Sequence, residues 1–151
     1  MDDRLRAIAD LLLPMSRVSE FDPRHVPAAL LRHLFILDVE ERAGDVAFRV
    51  HLSGTAIDHR FGRSISGELL QPASSYHGPD MMSTFRRCAI EHKPFWLRQN
   101  ISLGGGYANF VEAIIHYLEP GRIYGALVTG TNDDGARNKG RNRPALEIAE
   151  L

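Results

Sequence analysis

The first clear pattern along the chain is a pair of apolar-rich segments at residues 34–40 and 46–52. In the second segment four apolar residues alternate with Ala47, Arg49 and His51, which is the spacing of a strand with one buried face. A short turn sequence at 43–45 separates the segments, so they predict a β-hairpin in an antiparallel sheet with one wet face. The alternating apolar residues are Val46, Phe48, Val50 and Leu52.

Helical spacing occurs on both sides of this hairpin. Residues 5–12 carry apolar side chains three and four apart, and Pro14 ends that helix. A short helix is expected after Pro27, and a longer helix at 79–92. The apolar stripe of the longer helix comprises Met81, Met82, Phe85, Cys88, Ala89 and His92.

Three further strands are predicted at residues 95–103, 107–118 and 123–131, with a glycine turn at 104–106. The polar segment that follows is expected to be a flexible tail, with 144–151 forming at most one helical turn. The fold class is therefore α+β, with a five-stranded antiparallel sheet. The predicted organisation is an N-terminal helix and connector at 1–21, one domain at 22–131 and a C-terminal tail at 132–151.

Four segments of the chain resemble PAS domains, in particular a bacterial single-PAS family often found in alphaproteobacteria. These segments are DPRHVPAALL at 22–31, LFILDV at 34–39, FRVHLSGTAI at 48–57 and FGRSISG at 61–67. The resemblance implies a strand order of 2-1-5-4-3 with helices over one face of the sheet. It also implies a sensory or regulatory role in signal transduction. Since no output segment is recognisable in the chain, such a domain is expected to act through a partner signalling protein.

Composition and charge restrict the expected cellular location of the protein and the classes of partner that it could bind. The formal net charge is -1, which gives no support for nucleic-acid binding. No run of residues approaches the length of a membrane span, and the single cysteine excludes an intrachain disulfide. A cytoplasmic location is therefore expected.

The work expected of such a domain is binding a small ligand in the space between the sheet and the helices, mediating protein–protein contact, or both. Methionine and aromatic side chains form adaptable apolar cavities, so six residues are predicted to line that space. The same residues could instead fill a solid core, and the sequence leaves both interpretations open. The predicted wall consists of Phe48, Val50, Phe61, Met82, Phe85 and Leu97.

No cofactor can be named from the sequence. Seven histidines are present, but none is paired at metal-ligand spacing on one helix, and Cys88 with His92 supplies half a zinc site at best. Some PAS domains bind haem through a histidine on the long helix. Here His77 lies just before that helix and His92 near its end, so neither is in the middle of it. Cys88 lies on the long helix, whereas photosensory flavin domains carry their reactive cysteine on an earlier one.

The sequence gives little support for a catalytic site, so we do not expect this protein to be an enzyme. Glu112 and His116 are predicted on the same face of one strand, either solvent-facing or as a polar patch in a ligand cavity. The alternative function is a cone-shaped α+β enzyme or carrier of the ketosteroid-isomerase kind. That function needs a buried acid over a pocket, for which Glu112 and Asp38 are the candidates on strands.

A homodimer is expected through the N-terminal helix. Its apolar stripe of Leu5, Ile8 and Leu12 must be buried either on the chain's own sheet or on a second copy. Trp96, predicted on the outward face of its strand, also suggests a covered patch.

Overall fold

The computed structural model describes residues 1–70, 78–103, 107–131 and 146–151. The glycine turn predicted at 104–106 and most of the predicted tail, 132–145, lie outside the described residues. The helices are α1 (Asp3–Leu12), α2 (Ala28–Leu31), α3 (Thr55–Phe61) and α4 (Gly78–Glu91). The strands are β1 (Leu34–Arg42), β2 (Asp45–Ser53), β3 (Phe95–Leu103), β4 (Tyr107–Leu118), β5 (Arg122–Thr131) and β6 (Leu146–Glu150).

The strands form one antiparallel sheet in the order β2-β1-β5-β4-β3-β6. The α+β class is therefore confirmed, and the first five strands follow the implied order. The predicted number of five strands is wrong. The segment expected to end in a helical turn instead forms β6, whose five residues pair with Phe95–Gln99 of β3.

The face of the sheet beneath α3 and α4 carries the larger core. Alternate residues of each strand point into it, because side chains along a strand alternate between faces. Leu97 and Phe48 are fully buried there, and Phe85 of α4 lies edge-on to Phe48 with ring centroids 5.9 Å apart. Cys88 and Ala89 of the predicted stripe are buried in the same core.

His92 departs from that prediction. Helix α4 ends at Glu91, and His92 follows with a left-handed φ of 54°. Its exposed ring stacks on Tyr117 at 3.9 Å instead of entering the core.

The second face of the sheet is only partly exposed to solvent, because α1 covers part of it. Leu5, Ile8 and Leu12 are each at most 1% exposed and pack on residues of β1, β4 and β5. Trp96 packs against the same cluster, which confirms the predicted covered patch. Helices α3 and α4 lie over the first face, and α1 lies on the open face of its own sheet, which is one of the two places expected for its stripe. The N-terminal stripe is buried within its own chain.

A β-bulge corrects the predicted pattern of β2. Ile36 of β1 pairs with Leu52, but the next residue, Leu37, pairs with Val50, so His51 is an extra residue on β2. The bulge moves Leu52 to the face opposite Val50, where it is 45% exposed. Leu52 was predicted to share the core face, and that prediction is wrong.

Two glycines hold the connection from β2 through α3, each for a different physical reason. Gly62 ends α3 in the left-handed conformation, at φ 71°, and a Cβ there would meet nothing within 4 Å. Gly54 has an ordinary φ of -70°, but a Cβ would overlap the carbonyl oxygen of Arg32. The prediction that both positions disfavour a Cβ is confirmed.

We predict that Gly62→Ala lowers the free energy of unfolding by about 1 kcal/mol, because an L-residue is strained at this φ. Gly54→Ala should cost more, about 1–3 kcal/mol, because the backbone must move to relieve the overlap. Gly121→Ala is the matched control, since its nearest neighbours would lie 4.0 Å away and no left-handed φ is required. Urea unfolding measures all three variants, and equal stability of Gly54→Ala and Gly121→Ala would contradict the packing argument.

Candidate functional site

An apolar cavity lies where α3 and α4 meet the sheet. Its volume is about 30 Å³, and side chains of the sheet, both helices and the segment after α3 line it. The lining residues are Phe35, Leu37, Val50, Ile57, Phe61, Ile65, Leu70, Phe85 and Leu127.

Strand alternation brings the floor of the cavity together. Phe35 and Leu37 are two residues apart on β1, and Leu37 is paired with Val50 of β2. The Phe35 ring lies 6.0 Å from the Phe85 ring, centroid to centroid, so the floor and the wall formed by α4 are in contact.

Polar contacts outside the cavity position the remaining wall. The Asp58 carboxylate of α3 accepts hydrogen bonds from the Ser53 hydroxyl and from the Ile65 N–H, the latter at 3.2 Å. The chain then runs along the edge of β2, where the Leu70 N–H donates to the Phe48 carbonyl at 2.8 Å. These contacts set Ile65 and Leu70 over the sheet.

Three of the six predicted wall residues line the cavity: Val50, Phe61 and Phe85. The other three, Phe48, Met82 and Leu97, belong to the same core but do not line the space.

Six lining residues were absent from the predicted wall, and four of them were missed for one of two reasons. Phe35 and Leu37 lie in an uninterrupted apolar run, LFIL, in which alternation cannot show which residues face which core. Ile65 and Leu70 lie among glycines and polar residues, where neither helical nor strand spacing gives a signal. Ile57 and Leu127 complete the set.

The lining determines what the cavity can hold. All nine side chains are apolar, so a polar ligand would lose its hydrogen bonds with water and gain none from these residues. Pockets for drug-sized ligands measure roughly 300–1,000 Å³. A space of about 30 Å³ is far smaller, so it admits a small apolar molecule only if the walls move.

Cys88 lies in the same core, and its surroundings make it chemically inert. The thiol is fully buried, and burial raises its pKa to about 12. The reactive species is the thiolate, so Cys88 is not a nucleophile at neutral pH.

Glu112 and His116 share one face of β4, as predicted, but that face lies beneath the N-terminal segment and not in the cavity. Glu112 is 2% exposed and accepts a hydrogen bond from the Asp2 N–H at 2.8 Å. The His116 Nε2–H donates to the Met15 carbonyl at 2.7 Å. The two side chains therefore anchor the chain at the start of α1 and just beyond its end, and the pair is not solvent-facing.

Asp38, the other candidate acid, also lies on the α1 side of the sheet. Its carboxylate accepts from Arg122 Nε at 2.8 Å and lies 3.2 Å from His51 Nδ1, with about a third of the side chain exposed. Neither candidate acid lines the apolar cavity. The isomerase-type alternative requires a buried acid over the pocket. In the described residues neither Glu112 nor Asp38 lies there.

The described part of the chain contains no group of three or more histidine, cysteine or acidic side chains arranged to hold a metal ion. Within the same residues, no helix has the length and apolar character needed to cross a membrane.

The chain matches no protein-family model, no curated protein and no solved structure.

Proposed function

We propose that this chain is a PAS-like sensory or regulatory module that binds a small apolar ligand between α4 and the sheet. One observation carries the proposal. The first five strands follow the order 2-1-5-4-3, the helices between β2 and β3 pack on one face, and the cavity lies at their junction. Two of the four segments that resemble PAS domains lie in these elements, 34–39 in β1 and 48–57 in β2 and the start of α3.

The ligand enters by displacing the part of the wall that is least buried. Phe61, Leu70 and Leu127 are only partly buried, and of these Phe61 and Leu70 lie outside the sheet. Phe35, Leu37, Val50 and Phe85 are each at most 6% exposed. Because the floor belongs to paired strands and the outer wall to short segments, binding moves the outer wall and leaves the sheet in place. This movement is the change that a partner signalling protein would detect.

The proposed homodimer now rests on the family resemblance alone. Leu5, Ile8 and Leu12 are buried on the chain's own sheet, so they leave no apolar stripe for a second copy.

The ligand hypothesis predicts different effects for two Phe→Trp substitutions in the same core. Phe85→Trp adds atoms beside the cavity, so it should fill the space at a small cost in stability and abolish binding of an apolar probe such as benzene. Phe48→Trp is the matched control, because Phe48 is fully buried in that core but does not line the cavity. Its overpacking should cost about 1–3 kcal/mol.

Thermal melts with and without benzene separate these outcomes, because a ligand that binds only the folded state raises Tm. We expect benzene to raise Tm for the wild type and not for Phe85→Trp. If benzene fails to raise the wild-type Tm, or if the two tryptophan variants are destabilised equally, the cavity is not a binding site and the residues simply fill a core.

The raised pKa of Cys88 predicts a pH dependence of stability. Both states hold the thiol proton below pH 9, but above it only the unfolded chain loses the proton, because the folded pKa is about 12. The wild type should therefore lose stability relative to Cys88→Ala by roughly 1 kcal/mol per pH unit above 9. Urea unfolding of both proteins between pH 7 and 11 measures this difference, and a constant difference would show that the thiol is not buried in the folded state.

A further inference from the structure

The outer wall of the cavity contains one short loop, residues 62–67, whose two ends are fixed. It begins at Gly62, the left-handed end of α3, and closes at Gly67, which has a φ of 88°. At that point the chain is attached to the edge of β2. The Gly67 N–H donates to the Val50 carbonyl at 2.6 Å, and the Val50 N–H donates to the Glu68 carbonyl at 2.8 Å. The loop can therefore pivot between two glycines, where a change of φ and ψ costs least.

Ile65 is the part of this loop that enters the cavity. It is 4% exposed, whereas every other residue of the 62–67 loop is exposed. Ile65 is also the one residue of the loop that lines the cavity. The loop thus carries a single apolar plug on an otherwise solvated segment, and an outward movement of Ile65 would add the space of its sec-butyl group to the cavity.

Hydrogen bonds from one corner hold the middle of the loop in place. The Ile65 N–H donates to the Asp58 carboxylate of α3 at 3.2 Å, and the Ser53 hydroxyl donates to the same carboxylate oxygen. The Ser66 hydroxyl lies 3.4 Å from the Ser53 hydroxyl. A hydrogen bond to an ionised group is stronger than one between neutral groups. Asp58 is therefore the group that holds the Ile65 backbone against the domain.

The cavity between the closed walls is smaller than a ligand of the proposed class. Its volume is about 30 Å³, whereas an apolar protein cavity of roughly 150 Å³ binds benzene. The floor is poorly placed to supply the difference, because Phe35 and Leu37 lie on β1, which is paired on both sides. Among the buried residues of the wall, Ile65 alone lies outside a helix or a strand.

We propose that the 62–67 loop is a gate over the cavity, with Ile65 as its plug and the Asp58 carboxylate as its latch. The gate rests on the proposed function and deepens it, since it assigns the part of the wall that yields. Opening breaks the hydrogen bond between Ile65 and Asp58 and turns Ile65 outward. The ligand then takes the place of a sec-butyl group in an apolar wall, and its burial offsets the exposure of Ile65. The ligand is therefore a compact hydrocarbon-like molecule of about the size of benzene.

Thiol labelling measures the opening directly and needs no ligand. Ile65→Cys places a thiol on the loop, and Ile57→Cys places a matched thiol on α3, since both isoleucines are 4% exposed and line the same cavity. Cys88 is fully buried and unreactive, so it reports only unfolding of the whole domain. We expect DTNB to react with the thiol at position 65 at least about tenfold faster than with the thiol at position 57.

The latch is tested in the same two backgrounds. Asp58→Ala should raise the labelling rate at position 65 about tenfold and leave the rate at position 57 within about twofold, because it removes a charge-assisted hydrogen bond to the loop alone. Glu68→Gln is the matched control, since it neutralises one partner of the exposed ion pair with Arg63 beside the same loop and leaves Asp58 untouched. An exposed pair contributes little, so this control should label like its parent.

Benzene connects the gate to the ligand in the wild-type chain. Because the bound state leaves the latch broken, the Ile65 N–H should exchange with solvent at least about threefold faster in saturating benzene. The Leu70 N–H, which donates to the Phe48 carbonyl of β2, is the internal control and should not change.

Equal labelling at positions 57 and 65, or no response to Asp58→Ala at position 65, would overturn the gate. Slower exchange of the Ile65 N–H in benzene, together with a raised wild-type Tm, would show that the ligand binds behind a closed wall. That result would overturn the gate and leave the proposed function standing. Gated labelling without any effect of benzene on Tm would support the gate and contradict the proposed ligand.

Discussion

The antiparallel pairing of β1 with β5 is the interaction on which the rest of the structure depends. It joins the two halves of the chain at the centre of the sheet, from Leu34 opposite Ala126 to Asp38 opposite Arg122. Both faces of these strands are buried near their middle. Leu34 and Ile36 face α1, whereas Phe35 and Leu37 face α4 and the cavity. A shift of one residue would exchange the two sets, so the register is strongly specified.

Close packing reinforces that register. Phe35 pairs with Gly125 of β5, and the Phe35 ring lies where a Cβ on Gly125 would be. The same ring forms part of the cavity floor. The glycine in the central strand therefore links the sheet to the candidate site, because any larger residue would push Phe35 toward α4.

Much of the fold could be predicted from the sequence, because its signals are local. The spacing of Leu5, Ile8 and Leu12 identified α1, and alternation identified the strands with bounds close to those observed. The bulge at His51 could not be predicted, since nothing in the sequence around Leu52 signals an extra residue. β6 was missed for a different reason. The segment LEIAE is too short for its spacing to distinguish a helix from a strand. Its partner strand, β3, lies about fifty residues earlier in the sequence, so the pairing has no local signal.

The candidate site was predicted only in part, because the residues that line it are decided by packing between distant segments and not by local sequence signals. Val50, Phe61 and Phe85 were recognised as apolar residues on core faces, but which of the core residues border empty space depends on packing. The covering of the second face by α1 likewise required the structure, because a helical stripe does not reveal what buries it. Glu112 and His116 were correctly placed together on β4, yet only the structure shows that they anchor the N-terminal segment.

Amide hydrogen exchange followed by NMR tests the central claim most directly, namely that β1 and β5 are the common support of both cores. The account predicts that the paired amides of β1 and β5 exchange most slowly, only through global unfolding, and that those of β6 exchange fastest among the strands. If the amides of β1 and β5 exchanged as fast as those of β6, the two strands could not be the shared support of the two cores.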